Sequence, residues 1–487
     1  MQRVLFKKLL TLSTAIATAI LLSACGGDGN SGEDGGTGGI DDGLVSEIPL
    51  NLQNAQKLLN TNADIAYAAY GDSVDAAEEL KNAIIAFEND RSSENLDAAK
   101  RAWLVAREPY GQTEVYRFRL SPIDSTDYQS EDGPEGEINA WPLGEALIDY
   151  VSRGSDFGDG EVSVSSHSTG VNYPTENIIN SSVAIDAALL SLSASADDEH
   201  DVIAGYHAIE FMLWGQDLNL DSSADTENTR EMSTSGNVLN SGGHRPLADF
   251  AVDNPLAQRR FDYLNAVVNK LILDLVAVRD GWSEGASYRT AFTRISNEAE
   301  AKQKLSEILT GMGTLSEGEL AGERMQIAFS SNSQEDEHSC FSDNTHRDIW
   351  LNAEGVSNSY YGHYAGYDNS LNGIDNEIAR AVDGYGFDDY LADSGEVELA
   401  LIIEAALDKT EEGYRAIDTS ARVNGVPVDR LIMDENRNDA NPMYKTIIAL
   451  NKQSALIADL AEGLRIEKGV VEEEASNCDT SSPVESC

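Results

Sequence analysis

The pair most able to do chemistry in this chain is a histidine and a glutamate one helical turn apart. His207 and Glu210 lie in an otherwise apolar run from Val202 to Trp214, where the only other ionisable group is the Tyr206 phenol. On a helix the two share one stripe, and the apolar surroundings predict that this stripe is buried. Burying an imidazole and a carboxylate is costly unless each finds a partner, and a metal ion suits both. The pair therefore predicts a metal site.

A structural role is the alternative for this pair. Acids are 84 of the 487 residues, so seven histidines produce about one H-x-x-acid match by chance. His207 and Glu210 would then bond to neighbouring side chains in a polar layer of the core. Gly205 suggests that another backbone approaches here, since glycine inside a helix costs about 1 kcal/mol relative to alanine.

The N-terminus has the pattern of an export signal. Three basic residues precede an apolar stretch, Leu9 to Leu22, which is too short to cross a bilayer comfortably as a permanent helix. Its end, Leu22-Ser23-Ala24-Cys25, resembles the lipobox of bacterial lipoproteins, which implies removal of residues 1–24 and lipidation of Cys25. Gly26 follows, and the absence of Asp there resembles sorting to the outer membrane. An ordinary cleaved signal is the alternative.

Residues 25–45 are mostly Gly, Asp, Asn and Ser, a composition that cannot bury enough apolar surface to order itself. We predict a flexible tether.

The formal net charge of the whole chain is -50, with 84 acidic residues against 34 basic ones. Such a surface repels phosphate backbones, so nucleic-acid binding is excluded, and it attracts cations. The alternative is that acidity only maintains solubility.

Cysteine spacing is uninformative about metal binding. Beyond Cys25 the chain has Cys340, Cys478 and Cys487, none in zinc-type C-x-x-C spacing. Cys478 and Cys487 are close enough in sequence to close a short terminal loop in an oxidising compartment. The pairing stays open at this stage.

Apolar spacings of three and four dominate the folded region and predict an all-α protein built from helical bundles. We expect two helical halves, residues 46–290 and 291–470, followed by a polar tail, residues 471–487. Long irregular connections are expected at residues 119–175, 216–252 and 331–373. Only short stretches such as Glu161 to Ser165 suggest extended chain. The predicted helices span residues 52–70, 73–88, 93–118, 176–193, 198–214, 253–279, 288–330, 396–416 and 441–467.

Several segments, in order from about residue 50 to 465, together resemble one family. The first is Gly205-x-His207-x-x-Glu210, which is similar to the G-x-H-x-x-E signature of the imelysin family, also classed as M75 peptidases. The others are Trp103 with Ala106-Arg107 and Tyr110-Gly111-Gln112-Thr113-Glu114, then Gly133-Pro134-Glu135-Gly136 with residues 138–143, then residues 319–325, and residues 334–346. The closest resemblance is to its iron-regulated branch.

This resemblance implies an all-helical fold of two bundle-like halves, with the G-x-H-x-x-E helix facing a cleft between them. It also implies export to the cell envelope. Some members are described as metallopeptidases, while related proteins serve iron uptake or bind other ligands. The sequence lacks H-E-x-x-H and its inverted form, so the usual zinc-protease arrangement is absent.

Glu114 is the candidate for a third ligand, because it lies on the predicted helix of Trp103 and Arg107 in a segment that matches the family. The alternative is an acid paired with Arg117 or Arg119. Pro109 is expected to kink this helix.

Four further residues are secondary candidates for ligands. Glu319 and Glu323 lie four apart on a predicted helix, where a cation or Arg324 would relieve their repulsion. Glu337 and His338 belong to a polar stretch, residues 335–346, that is expected to order as a loop over the cleft. Its oxygen and imidazole donors suit iron or calcium as readily as zinc. A solvated loop is the alternative.

Taken together, these features predict an outer-membrane lipoprotein facing the periplasm, held by a lipid anchor. It binds a divalent or ferric ion, with iron preferred and zinc or calcium also suited, and takes part in iron acquisition beside iron-uptake components. One alternative is a metallopeptidase that uses the same ion to activate water. A second is a surface interaction lipoprotein whose polar pair is purely structural.

Overall fold

A computed structural model of the chain describes residues 47–151, 171, 175–192, 202–218, 230, 242–334, 336–372, 376–466, 478–485 and 487. The predicted signal peptide and tether, including Cys25, lie outside the described residues. So does the stretch from Glu161 to Ser165. The division of the chain at residue 290 stays a prediction.

The described secondary structure is helical apart from one β-hairpin, which confirms the all-α class. Among the described residues, none of the helices has both the length and the hydropathy needed to cross a bilayer. The α-helices are α1 (Leu52–Asn89), α2 (Ser93–Gly111), α3 (Glu135–Ile138), α4 (Glu145–Ile148), α5 (Ala187–Leu190), α6 (Gly205–Trp214), α7 (Ala257–Gly281), α8 (Ser287–Thr293), α9 (Glu298–Thr314), α10 (Ala328–Ser331), α11 (Thr345–Tyr361), α12 (Phe387–Ser394), α13 (Val397–Arg422), α14 (Val428–Leu431) and α15 (Pro442–Gly463). Short 3-10 helices span Glu114–Tyr116, Leu247–Phe250, Cys340–Ser342 and Asp434–Asn436, and a π-helix spans Leu315–Ile327.

Helix α1 is the longest, with 38 residues, and it packs on α2 and α7. Asn51 caps it, because its side chain accepts hydrogen bonds from the backbone N–H groups of Gln53 and Asn54. The prediction of two helices broken near residue 71 was wrong. Gly71 lies inside this helix and leaves room for the Arg380 side chain, whose guanidinium donates to Asp72 at 2.8 Å.

The irregular connection expected at residues 331–373 contains helix α11, so that prediction was also wrong. Its buried residues alternate between apolar groups such as Ile349 and Val356 and charged groups such as Asp348, which hides the apolar spacing. Gly362 ends the helix in the left-handed conformation at φ 61°. Of the helix predicted at residues 176–193, the described part, residues 176–192, is helical only at α5.

The hairpin follows α11 directly. Strands β1 (His363–Tyr367) and β2 (Asn376–Asp383) pair antiparallel, with His363 opposite Asp383 and an irregularity in register between Tyr364 and Gly366. Both strands contact α1. The hairpin thereby joins α11 to the long N-terminal helix.

Cys478 and Cys487 form a disulfide with an S–S distance of 2.05 Å. This is the pairing that their spacing made plausible. Cys340 is buried with a free thiol. The disulfide joins cysteines nine positions apart in sequence. The loop that it closes lies beside the π-helix, where Gln326 donates to the carbonyls of Asp479 and Glu485.

Gly205 is the first residue of α6 and not a mid-helix residue. Its φ is +88°, and a Cβ there would lie 2.4 Å from the carbonyl oxygen of Ile138. The close backbone approach predicted from the sequence is therefore present, with the preceding α3 segment as the neighbour.

Gly205→Ala is expected to destabilise the protein by about 3 kcal/mol, because it combines an unfavourable φ with a backbone clash. Gly285→Ala is the matched control: its φ is +83°, but nothing lies within 4 Å of the added Cβ. The control should cost only the conformational part, about 1 kcal/mol. Chemical denaturation of both variants measures the difference, and equal losses would contradict the role of the Ile138 contact.

Candidate metal centre

Helix α6 is buried along its whole length, and His207 and Glu210 are each 0% exposed. The apolar run predicted this burial. Tyr206 on the same helix accepts a hydrogen bond at its carbonyl oxygen from the Trp103 indole of α2, at 2.9 Å. The pair therefore sits on a helix fixed against α2 in the interior.

The two side chains form a dyad. His207 Nδ1 lies 2.8 Å from Glu210 Oε2. Glu210 Oε1 accepts hydrogen bonds from the backbone N–H of Ser342 at 2.9 Å and from its hydroxyl at 2.6 Å. Glu210 thus contacts Nδ1 of His207. A carboxylate in this position typically fixes the orientation of a metal-binding imidazole. His207 Nε2, on the other side of the ring, is buried and has no hydrogen-bond partner within the described residues.

Burial dominates the protonation of this dyad. It raises the pKa of Glu210 well above its ordinary value, although the hydrogen bonds from Ser342 oppose the shift. Burial also lowers the pKa of His207 far below its ordinary value, and the neighbouring His338 and Arg107 add to this effect. Without a bound cation the interior therefore favours uncharged forms of both groups.

A second imidazole packs against the first. The His338 ring lies 4.7 Å from the His207 ring and nearly perpendicular to it, and the Trp141 ring lies 4.9 Å from His207. His338 Nδ1 contacts Asp348 Oδ2 at 2.7 Å, and its Nε2 lies 3.0 Å from an Arg324 nitrogen. Because Arg324 can only donate, His338 Nε2 accepts, and the ring is neutral with its proton on Nδ1. Burial and Arg324 lower the pKa of His338 to about 4.

Asp348 on α11 anchors this arrangement. Its carboxylate accepts hydrogen bonds from Arg107 on α2, at 3.2 Å and 3.1 Å, and from the Ser339 hydroxyl as well as from His338. Burial alone would raise the pKa of Asp348, but Arg107 and His338 hold it far below its ordinary value. Asp348 is therefore an ionised carboxylate in the interior.

Glu114 is buried and ion-paired. It accepts a hydrogen bond from the Asn139 amide at 3.0 Å, and it pairs with Arg117 at 3.3 Å and Arg324 at 3.6 Å. Burial opposes ionisation, yet Arg324 and Arg117 lower the pKa of Glu114 overall. The alternative drawn from the sequence, pairing with Arg117, is thus present, and Arg324 is an additional partner that the sequence did not suggest.

A cavity of about 210 Å³ opens beside His338. Glu319 and Glu323 reach it from the π-helix, in which i→i+5 hydrogen bonding places residues five apart on one side. Arg324 accordingly lies 3.3 Å from Glu319. The charged lining consists of the acids Glu135, Glu319, Glu323 and Asp336 and the arginines Arg117 and Arg324. Acids outnumber arginines, so the cavity is net negative.

Glu337 lies apart from the dyad. It is fully buried, accepts a hydrogen bond from the Thr345 hydroxyl at 3.1 Å, and is influenced electrostatically by Asp429 and Asp343. Among the described residues, the group of three metal-type donors that lie within 4.8 Å of one another is Asp217, Asp343 and Asp429. The predicted set of His207, Glu210 and Glu114 does not form such a group.

Two residues of this centre, Asp348 and Arg107, were not predicted as functional from the sequence. Asp348 lies in the segment that was expected to be irregular, so its place on a buried helix face was not visible. Arg107 lies in a segment that resembles the imelysin family. A charged residue inside the α2 pattern, one turn from Trp103, was the available signal for a buried ion pair.

The family model for imelysin, Peptidase_M75, matches residues 66–457. The chain belongs to the imelysin family. The matched region includes the imelysin dyad, both arginines that bind Glu114, and Asp348.

Two known proteins resemble this chain, one in part of its sequence and one in its fold. Iron-regulated protein A from Synechococcus elongatus is 30% identical over 79 residues, which are 16% of this chain and 20% of that protein. The alignment thus spans only a fifth of this curated relative. The crystal structure of a putative iron-regulated protein A precursor from Parabacteroides distasonis matches with a TM-score of 0.51 and 17% identity, over 89% of this chain and 99% of that one. At that identity the likeness establishes the fold.

Stability is expected to fall as the pH drops from about 6.5 to 4. His338 has a depressed pKa in the folded state, so the unfolded chain binds its proton first. The stabilisation is complete above the unfolded value and is lost as the pH falls towards the folded value of about 4. For this one group the loss is up to about 3 kcal/mol.

His338→Gln should flatten the dependence of unfolding free energy on pH in this window. Denaturation with urea in the presence of a chelator, at several pH values from 4 to 8, measures the slope. The same change at exposed His244 is the control. An unchanged slope in His338→Gln would show that His338 does not titrate as described.

Proposed function

We propose that this imelysin-family protein binds a metal ion, preferably iron, at His207, and that it acts as a binding protein in iron acquisition or handling. The observation that carries the proposal is the buried His207 Nε2, which lacks a hydrogen-bond partner within the described residues. Glu210 and Ser342 fix the ring from its other nitrogen. An imidazole held in this way is a typical metal ligand with its supporting carboxylate.

The donor set fits a cation in a specific way. His207 would hold the ion through Nε2, and Glu210 would position the ring and balance charge. Glu319 and Glu323 line the net-negative cavity. Their carboxylate oxygens are donors of a type that iron accepts as ligands. His338 connects the two regions, since its ring both contacts His207 and lines the cavity.

Charge balance supports the same conclusion. Burial raises the pKa of Glu210, which favours its protonated form in the metal-free dyad. A cation at His207 Nε2 favours ionised Glu210 with the remaining proton on Nδ1. Binding is then accompanied by loss of a proton and becomes tighter as the pH rises.

A binding protein is favoured over a metallopeptidase by the spacing of the donors. A catalytic zinc site keeps three protein ligands and one open position. Around His207 no such trio is preformed within the described part of the chain. One pre-positioned nitrogen suits reversible capture of an ion better than sustained activation of water.

The physiological setting rests on the sequence and the relatives. The lipobox-like Leu22-Ser23-Ala24-Cys25 supports a lipid anchor at Cys25, and Gly26 supports the outer membrane with the domain facing the periplasm. Both relatives carry the name iron-regulated protein A. We therefore place the chain beside iron-uptake components of the cell envelope.

His207→Ala should weaken binding of iron at least about tenfold, because it removes the nitrogen ligand. Ser342→Ala should cause a smaller loss, since Glu210 keeps the backbone N–H of residue 342. Titration of the metal-free protein with Fe²⁺, Fe³⁺ and Zn²⁺ under controlled redox conditions, with elemental analysis, measures the affinities. Exposed His244→Ala is the matched control and should bind like the parent.

Unchanged iron affinity in His207→Ala would refute the proposed site. Incubation of the metal-loaded protein with unfolded peptides, with and without chelator, then separates the two metal-dependent functions. Cleavage that depends on both the metal and His207 would favour the peptidase, and intact peptides support the binding protein.

A further inference from the structure

A cluster of buried carboxylates lies outside the candidate centre. Asp217, Asp343 and Asp429, called the aspartate cluster below, each offer an oxygen, and these oxygens lie within 4.8 Å of one another. Each residue is less than one-tenth exposed. They come from three separate segments: the chain after α6, the turn after the 3-10 helix Cys340–Ser342, and helix α14.

A fourth carboxyl group faces the aspartate cluster. Glu337 is 0% exposed, and its Oε1 has no hydrogen-bond partner within the described residues. Gln334 links it to the cluster, because the Gln334 amide donates to Asp217 and the Gln334 carbonyl accepts the Glu337 N–H at 3.0 Å. Burial and the charges of Asp429 and Asp343 together raise the pKa of Glu337. A buried carboxyl group, one of whose oxygens has no partner among the described residues, therefore adjoins the three aspartates.

A guanidinium also lies near the aspartate cluster. Arg230 is buried beside the cluster and lowers the pKa of Glu337, against the larger raising effects. Its guanidinium donates to the Asn332 side-chain oxygen at 3.1 Å, to the Asn332 carbonyl at 2.7 Å and to the Asp429 carbonyl at 2.6 Å. Carboxylates gathered in the interior keep their charge at a lower cost when a cation lies among them.

The donor chemistry and spacing identify the class of cation. All four side chains offer hard oxygen donors without sulfur or imidazole, a set that favours calcium over softer transition metals. Two oxygens on opposite sides of a Ca²⁺ ion are separated by about 4.8 Å, twice the Ca–O distance of about 2.4 Å. The oxygens of the cluster lie within that limit. We propose that the aspartate cluster, together with Glu337, binds one Ca²⁺ ion.

This calcium site joins parts of the chain that carry the candidate metal centre. Asp343 directly follows Ser342, which holds Glu210, and Asp217 follows the helix that carries His207. Calcium therefore stabilises the turn over the dyad without contributing a ligand to it. The proposal is independent of iron binding at His207.

Calcium titration of the purified protein tests the site directly. After chelator treatment and in excess Mg²⁺, which occupies weak acidic surface sites, calorimetry should detect one tight Ca²⁺ per chain, and the melting temperature should rise with Ca²⁺. Asp343→Asn and Asp429→Asn should each weaken binding at least about tenfold. Asp280→Asn, at a carboxylate that is 61% exposed, is the matched control and should bind like the parent.

Three results of these titrations would contradict the calcium site. Absence of tight Ca²⁺ binding, or binding of Mg²⁺ with equal affinity, shows that the cluster is not a calcium site. Parent-like affinity in both Asp343→Asn and Asp429→Asn has the same meaning. His207→Ala should keep its Ca²⁺ site while losing iron, so failure of one proposal is distinguishable from failure of the other.

Discussion

The ionised carboxylate of Asp348 imposes the main constraint on the interior of this protein. A buried charge is tolerated only when its desolvation is offset by well-placed donors. Arg107 from α2, His338 and Ser339 provide them. Because these donors come from different segments, satisfying one carboxylate fixes α2, α11 and the turn before α11 relative to each other. Removing Arg107 would leave an uncompensated charge in the core.

The same contact determines the chemistry of the centre. Asp348 holds the proton of His338 on Nδ1, which leaves Nε2 to accept from Arg324. Arg324 in turn pairs with Glu114 and Glu319. The polar network thus runs from the buried dyad to the acid-rich cavity. It explains why Glu114, although placed near the centre, is engaged by guanidinium groups and is not a convergent third ligand.

One short segment, residues 337–345, serves three sites at once. His338 and Ser339 bond Asp348, and Ser342 donates to Glu210. Asp343 belongs to the aspartate cluster, which Glu337 adjoins. The 3-10 helix Cys340–Ser342 and the left-handed Asp343, at φ 56°, make the turn compact enough for this. The polar composition that suggested a loop over a cleft instead reflects side chains that are almost all buried and bonded.

The sequence by itself determined the helical class, the burial of His207 with Glu210 and the close approach at Gly205, because each depends on local apolar spacing or on a missing Cβ. It could not reveal α11, where buried Asp348 and Asn352 interrupt the apolar pattern. Only the tertiary structure decided that Glu210 bonds Ser342, 132 residues away, and that Asp217 meets Asp429. Charge pairing acts through space between distant segments, so chain packing alone sets which groups meet.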